Sequence, residues 1–189
     1  YLSFITVEKV FSAHGLTLFD VEELPTHGGS LRIYAQNSDT GKQPVSSTVN
    51  NLKMCEEKAG INSLKYYQGF QGKAEKVKLD FLDFLIHAKK DGKKVAAYGA
   101  AAKGNTLMNF AGIRPDLISY VVDKNPIKQG KYMPGSRIPI KDEQYLKDDN
   151  PDYVVILPWN LKNEIMNQLD YIKQNSGQFV LFVPVLDIV

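Results

Sequence analysis

The chain has 189 residues, 43% of them hydrophobic, so it is long enough to bury the core of one domain or of one domain with an appendage. Its formal net charge of +2 is too balanced to indicate a nucleic-acid or membrane surface. A single cysteine excludes an internal disulfide, and no apolar run approaches the ~20 residues of a membrane span. We therefore expect a cytoplasmic protein without nucleic-acid or membrane partners.

The first forty residues predict one helix and two strands. Ser3–His14 has apolar residues at helical spacing, and Gly15 suits the left-handed residue that follows a helix. Strand-like runs follow at Leu16–Leu24 and Ser30–Gln36. Three such elements cannot enclose a core, so we expect them to pack on the rest of the chain or on another domain. The start at Tyr1 favours a piece of a longer protein, with a processed N-terminus as the alternative.

A histidine lies between these two strands, in the run Pro25-Thr26-His27-Gly28-Gly29. Neighbouring glycines leave an imidazole open to a cleft, where it can act as an acid, a base or a hydrogen-bond donor. We therefore name His27 as a candidate catalytic residue, and the alternative is an exposed histidine in a hairpin connection. No grouping of histidine, cysteine and acidic residues predicts a metal site.

The middle of the chain predicts a polar linker at Asn37–Pro44 and a weakly apolar helix at Ser46–Ala59. Asn62–Gly72 is interpreted as irregular. The strongest helical pattern is Lys73–Lys90, where one face carries Val77, Phe81, Phe84 and Leu85.

From Val95 onward, short apolar strands alternate with helices. The predicted strands are Val95–Tyr98, Leu117–Val122, Ile138–Ile140, Asp152–Leu157 and Phe179–Val183. One helix is predicted to end near Ala111, and another to span Leu161–Gln174. This alternation favours a parallel sheet with right-handed crossovers. The predicted fold class is α/β, a doubly wound Rossmann-like sheet with helices on both faces.

A turn of small residues follows the first of these strands. Small side chains let a phosphate approach the backbone, and the start of a helix favours an anion. The next glycine after Gly99 is Gly104, so the run is not G-x-G-x-x-G, and the alternative is close helix–strand packing. The candidate substrate-binding residues of this turn are Gly99, Ala100, Ala101, Lys103, Gly104 and Asn105.

Polar residues also follow the second and fourth strands. Asp123 lies 24 residues beyond Gly99, close to the ~20-residue spacing of the ribose-binding acid in dinucleotide folds. Trp159 can stack on a base or sugar, or else anchor the core, and Asn160 is interpreted as a helix N-cap. The loop after Asp123 is basic and either covers a phosphate or is simply solvated. Its candidate binding residues are Lys124, Asn125 and Lys131, with Lys128 and Arg137 adding charge.

Four runs of this sequence resemble the C-methyltransferases that act on nucleotide-linked keto-deoxysugars. The resemblance covers nearly the whole chain, with the motifs in order. The runs are residues 19–34 (FDVEELPTHGGSLRIY), 95–105 (VAAYGAAAKGN), 121–132 (VVDKNPIKQGKY) and 156–161 (ILPWNL).

The resemblance implies a domain order. Family members carry a zinc-binding segment, then a domain that binds S-adenosylmethionine (SAM), then a second Rossmann-like domain. Residues 1–40 would be the remnant of the SAM-binding domain, and residues 44–189 the C-terminal domain that helps to bind the nucleotide-sugar. The zinc cysteines and the glycine-rich SAM loop would then lie outside this chain.

The resemblance also implies a reaction. A base removes the proton next to a ketone, and the resulting enolate takes the methyl group of SAM. His27 would face the reacting sugar or the SAM side and supply a donor for the enolate charge. Because the SAM site would be missing, we expect this chain alone to be inactive.

Two other functions remain open at this stage. A nicotinamide-dependent oxidoreductase domain would use Gly99 and Asp123, although the glycine pattern is imperfect. A non-catalytic nucleotide-sugar-binding module would use the same crevice without any chemistry. The sequence leaves the oligomeric state and the particular sugar open.

Overall fold

The computed structural model describes residues 2–189, apart from the side chain of His27. The chain divides into two compact units, the first extending to Gln71 and the second comprising Gly72–Val189. The domain boundary expected between residues 40 and 44 stays a prediction.

The first unit contains an antiparallel pair of strands and three helices. Its helix α1 begins after Ser3, whose Oγ accepts a hydrogen bond from the Thr6 amide at 3.2 Å. The carboxylate of Glu56 accepts from the amides of Phe4 and Ile5, both at 2.8 Å. The elements are α1 (Phe4–Ala13), β1 (Leu16–Leu24), β2 (Ser30–Asn37), α2 (Ser47–Ala59) and α3 (Leu64–Tyr67).

The core of the first unit is small. It consists of Phe4, Leu18, Val21 and Val49, with Ile33 packed at its edge. Apolar side chains remain at the surface around it, and an open apolar groove of about 630 Å³ is lined mainly by residues of α1 and the two strands. The groove residues include Leu2, Phe4, Val7, Leu24, Leu31 and Ile33.

The second unit is an α/β sandwich of helices around a six-stranded sheet. Five of its strands are parallel, and the last is antiparallel at the edge. The strand order is β5-β4-β3-β6-β7-β8, which is the doubly wound order that the sequence pattern predicts. The strands are β3 (Val95–Tyr98), β4 (Val121–Val122), β5 (Ile140–Lys141), β6 (Tyr153–Ile156), β7 (Gln178–Leu181) and β8 (Asp187–Ile188).

Helices cover both faces of this sheet. Alternate residues of β3 point to opposite cores, Val95 and Ala97 to one and Ala96 and Tyr98 to the other. The core that contains Val95 also includes residues of the first two helices of this unit, and the core that contains Ala96 includes residues of its last three helices. The helices are α4 (Phe70–Lys90), α5 (Ala102–Ala111), α6 (Glu143–Asp149), α7 (Lys162–Gln168) and α8 (Tyr171–Gln174).

Several boundaries differ from the sequence prediction. Of Leu117–Val122, only the last two residues pair as a strand, because the amides of Leu117 and Ile118 turn back to the Arg114 carbonyl. The helix predicted at Leu161–Gln174 is divided into α7 and α8, and α4 begins at Phe70 rather than Lys73. Among the helices of the described chain, none combines the length and apolar character needed to cross a membrane.

Candidate functional site

The carboxyl ends of β3 and β6 form the candidate site. These strands are neighbours, and the chain continues from β3 to one side of the sheet and from β6 to the other. Such a switch point leaves a crevice between the two connections, where ligands of doubly wound folds bind. The turn from Gly99 follows β3, Leu157–Asn160 follows β6, and Asp123 follows the neighbouring β4.

Both glycines of the turn are required by packing. Gly99 has a φ of +90°, and a Cβ there would lie 2.5 Å from Cδ of Pro158. A Cβ on Gly104 would lie 2.5 Å from Cβ of Leu157. The close helix–strand packing that was the alternative interpretation therefore accounts for the small size of these two residues.

Asp123 fastens the turn to the adjacent strand. The residue is only 9% exposed, and its Oδ2 accepts from the Ala100 amide at 2.8 Å and from Lys128 Nζ at 2.9 Å. Oδ1 accepts from the Asn125 amide at 2.8 Å. Lys128 also donates to the Ala100 carbonyl at 2.9 Å. Both carboxylate oxygens are thus engaged within the protein, with a cation beside them.

Lys103 lies in the first turn of α5 and is held by the segment that follows β6. Its Nζ donates to Asn160 Oδ1 and lies 4.9 Å from the centroid of the Trp159 ring. Trp159 is half-buried and packs against the second core of the sheet. A hydrogen bond and a cation–π contact therefore fix this ammonium group in the crevice.

The N-terminus of α5 opens beside this ammonium group. Ala101 occupies the N-cap position in an extended conformation, and an alanine has no side-chain acceptor for the first amides of the helix. The side-chain oxygen of Asn105, one turn into the helix, is buried without a hydrogen-bond partner among the described residues, and as an acceptor it suits a donor group of a ligand rather than an anion. Free amide donors, a helix dipole and Lys103 together make this end of the crevice favourable for an anion.

The loop after β4 is mainly built by its own hydrogen bonds. Asn125 Oδ1 accepts from the Ile127 amide at 3.0 Å, so this side chain closes a turn. Lys124 and Lys131 are exposed. Arg137 lies before β5, at the amino-terminal edge of the sheet and therefore away from the crevice. Arg137 therefore adds no positive charge at the crevice, contrary to the expectation from the sequence.

Sequence reasoning missed a polar cluster that begins directly before the turn. Tyr98 donates to Glu143 Oε1, and Gln168 Nε2 donates to the Tyr98 hydroxyl at 2.9 Å. Gln168 also donates to Glu143. Burial is the main cause that raises the pKa of Tyr98 above its ordinary value. These residues lie on three different elements, so no local motif could have indicated them.

The sequence also misassigned Asn160 and did not anticipate the role of Lys128. Asn160 is not a helix N-cap, because it lies inside a short 3₁₀ turn, Trp159–Leu161, and accepts from Lys103 instead. Lys128 is paired with Asp123 at 2.9 Å rather than left free for a ligand. Asn160 is distant in sequence from Lys103, and the Asp123 that pairs with Lys128 is buried. Only the folded chain therefore reveals these two contacts.

Two remaining expectations concern a catalytic histidine and metals. The side chain of His27, the candidate catalytic group, lies outside the described residues, and its backbone is part of the 3₁₀ turn Thr26–Gly28. Within the residues that the structure describes, no group of three or more histidine, cysteine or acidic side chains is arranged to hold a metal ion.

Comparison with known proteins gives one family, one curated relative and a distant solved structure. Residues 25–184 match the family described as the C-methyltransferase C-terminal domain. The chain is 32% identical over 184 residues to the C-methyltransferase NovU of Streptomyces niveus, covering 97% of this chain but 44% of that protein. The solved structure of UDP-D-quinovosamine 4-dehydrogenase from Vibrio fischeri is similar over 51% of this chain and 93% of the dehydrogenase chain. The sequence identity is 17% and the TM-score is 0.40, so this similarity carries no argument about function. The match over residues 25–184 shows that the chain belongs to the C-methyltransferase C-terminal domain family.

Proposed function

We propose that this chain is the C-terminal part of a SAM-dependent C-methyltransferase that methylates a carbon next to a ketone on a nucleotide-linked deoxysugar. Family membership and the similarity to a C-methyltransferase support the reaction class. The chain spans 44% of the length of that relative, so the remaining part of the enzyme would bring the methyl donor. The role proposed for the present chain is to bind the nucleotide-sugar, and alone it would be inactive.

The observation that carries this proposal is the fixed ammonium group of Lys103 at the uncapped start of α5. A diphosphate needs cations and N–H donors held in place, and this crevice offers both. Trp159 adds an aromatic surface for the base or the sugar. We propose that Lys124 and Lys131, exposed on the loop after β4, add charge around the same diphosphate.

The other candidate residues have supporting roles in this proposal. The turn Gly99-Ala100-Ala101 would bring its backbone against the ligand, and Gly104 lets α5 pack closely on Leu157. Asn105, with its unpaired side-chain oxygen, would accept a hydrogen bond from the ligand. Asp123 and Asn125 hold the turn and the loop through the hydrogen bonds described above. They would shape the pocket without contacting the phosphates.

The hydrogen bonds that Asp123 already accepts disfavour a nicotinamide-dependent oxidoreductase. The acid at this position of a dinucleotide fold must be free to accept from the ribose hydroxyls. Here both oxygens already accept from Ala100, Asn125 and Lys128. The same argument makes the crevice a poor fit for the ribose of SAM, so we propose that the rest of the enzyme binds SAM. Zinc is proposed to bind there as well, in the segment that the family resemblance implies.

The first unit is proposed to belong to the SAM-binding domain over residues 1–40. Its core is small, and its apolar groove of about 630 Å³ offers a surface that another part of the enzyme would cover. His27 would then act as the catalytic histidine of the complete enzyme. In that enzyme we expect His27→Ala to lower kcat much more than it changes the affinity for the nucleotide-sugar.

Titration calorimetry with a dTDP-linked sugar tests the assignment of the crevice. Lys103→Ala should weaken binding about ten- to a hundredfold, since a charge-assisted hydrogen bond contributes ~1.5–3 kcal/mol. Lys173→Ala, which removes an exposed lysine from α8, serves as the matched control and should leave affinity unchanged. Equal binding by the wild type and Lys103→Ala, or tighter binding of NAD than of the dTDP-sugar, would reject the proposal.

A further inference from the structure

A hairpin lies at the amino-terminal ends of the sheet strands, on the side of the sheet opposite to the crevice. The chain between β4 and β5 forms this hairpin, in which Tyr132 and Pro139 make an antiparallel bridge and the Met133 amide donates to the Ile138 carbonyl at 2.8 Å. Its tip, residues 134–137, precedes β5 and so lies at the amino-terminal edge of the sheet. The end of α5 reaches the same edge.

Side chains from the end of α5 and just beyond it clamp the tip of this hairpin. Asn109 Nδ2 donates to the Pro134 carbonyl at 2.9 Å, and Arg114 Nη1 donates to the Gly135 carbonyl at 2.6 Å. The clamp holds the Arg114 guanidinium against the tip while leaving its other N–H groups available.

The clamp borders a surface pocket of about 330 Å³, lined by Arg114, Gly135, Ser136 and Arg137. Two arginines, and no acidic residue, are thus among the described residues that line this pocket. In the described part of the chain, neither arginine forms an ion pair. Arg137 also has a φ of +59°, a conformation that residues other than glycine, asparagine and aspartate seldom adopt.

Ser136 provides a second, independent sign of a ligand. The residue is 1% exposed, and its Oγ has no hydrogen-bond partner among the residues that the structure describes. Buried hydroxyl groups in folded proteins are almost always paired, because an unpaired one has lost its hydrogen bonds to water without replacement. An oxyanion in the adjoining pocket would accept hydrogen bonds from the Ser136 hydroxyl and from the N–H groups of the two arginines.

From this arrangement we propose a second anion-binding site, at the hairpin tip, for the phosphoryl group of a small molecule. Three donors from different residues suit the several oxygens of a tetrahedral phosphoryl group. The pocket volume is at the lower end of the ~300–1,000 Å³ range of small-molecule sites, which leaves room for part of the molecule attached to the phosphate. This site is separate from the proposed diphosphate crevice and does not depend on it.

The test is an NMR titration of the 189-residue chain with inorganic phosphate, at constant ionic strength maintained with chloride. We expect saturable shifts of the amides of residues 135–137. Arg137→Asn removes the charge and tolerates the left-handed backbone, so it should stay folded and weaken binding about tenfold. Ser136→Ala should weaken binding several-fold. Lys103→Ala is the control and should leave these shifts unchanged.

Three results would overturn the proposal. The first is phosphate affinity that is the same in the wild type, Arg137→Asn and Ser136→Ala, with all three folded by far-UV circular dichroism. The second is binding that Lys103→Ala abolishes, which would put the anion in the crevice. The third is acetate binding at the tip as tightly as phosphate, which would make the site one for carboxylates.

Discussion

Gly104 lies where the first turn of α5 passes Leu157, the residue that follows β6. The Cβ atom of any larger residue would stand 2.5 Å from the Leu157 Cβ. Both atoms are attached directly to the backbone, so neither can rotate away. Replacement of this glycine must therefore move α5 relative to the sheet, and with it Lys103 and the start of the helix.

We expect Gly104→Val to lower the free energy of unfolding by about 1–3 kcal/mol, the usual effect of overpacking a core. Urea denaturation measures this change. Gly72→Ala is the matched control, because a Cβ there meets nothing within 4 Å and the residue lies inside α4. That control should raise stability by about 0.5–1 kcal/mol. A wild-type midpoint for Gly104→Val would contradict the packing explanation.

Asp123 leads to a second prediction at this scale. Asp123→Asn keeps the shape but leaves one acceptor oxygen for the Ala100 amide, the Asn125 amide and Lys128. We expect a loss of about 1–3 kcal/mol of unfolding free energy, because these part-buried donors lose an acceptor. Lys124→Gln, an exposed neighbour, should change stability by less than about 0.5 kcal/mol. Unchanged stability in Asp123→Asn would mean that the carboxylate is available to a ligand.

These two residues show what a sequence can tell about a site. The small-residue turn and the acid after the next strand were recognisable because a doubly wound fold places both at one edge of the sheet. Whether Gly104 makes room for a phosphate or for Leu157 depends on a contact across 53 positions of the chain, which no local pattern contains. The partnership of Lys103 with Asn160 was hidden for the same reason.

At the scale of elements, a polar latch joins the starts of β3 and β6. Asp152, just before β6, accepts from Lys93 Nζ at 2.9 Å and from the Lys94 amide at 2.8 Å. The hydrogen bond from Lys93 is the main cause that lowers the pKa of Asp152 below its ordinary value of 3.8. This latch holds the two central strands of the sheet together where they begin.

The lowered pKa gives this latch a definite pH dependence. Because the unfolded chain binds a proton to Asp152 more readily than the folded chain does, the stabilisation is present above about pH 4 and is lost as the pH falls through the folded pKa. The difference in urea midpoint between wild type and Asp152→Asn should therefore be largest near neutral pH and shrink in acid. Asp148→Asn, an exposed change on α6, should follow the wild-type curve. A difference that does not vary with pH would remove the latch from the explanation.

The elements that the sequence predicted best are those with a continuous apolar pattern. β3 has the predicted bounds, Val95–Tyr98, because all four of its residues are buried between two helical layers. α6 was missed because Leu146 is its one buried residue and a seven-residue helix shows no stripe, although Asp142 caps its start at 2.9 Å. No glycine or proline marks the division between α7 and α8, so helical spacing alone merged them.

At the scale of the whole molecule, the two units differ in how much core each encloses. The second has a hydrophobic core on either face of its sheet, with fully buried residues such as Phe81, Ile118 and Phe179. The first has the small cluster around Phe4 and Leu18, and it leaves Leu31 42% exposed. Since buried apolar area is the main stabilising contribution in a domain, we expect the second unit to be the more stable.

This difference predicts that urea unfolds the chain in two steps. Trp159 is the only tryptophan and belongs to the second unit, so its fluorescence follows that unit alone, whereas far-UV circular dichroism follows the helices and strands of both. We expect circular dichroism to show an early transition that the fluorescence of Trp159 lacks, followed by a later one that both share. Val49→Ala, in the first core, should shift only the early transition, by about 1–3 kcal/mol for a buried valine. Coincident single transitions by both methods would instead mean that the two units unfold as one cooperative body.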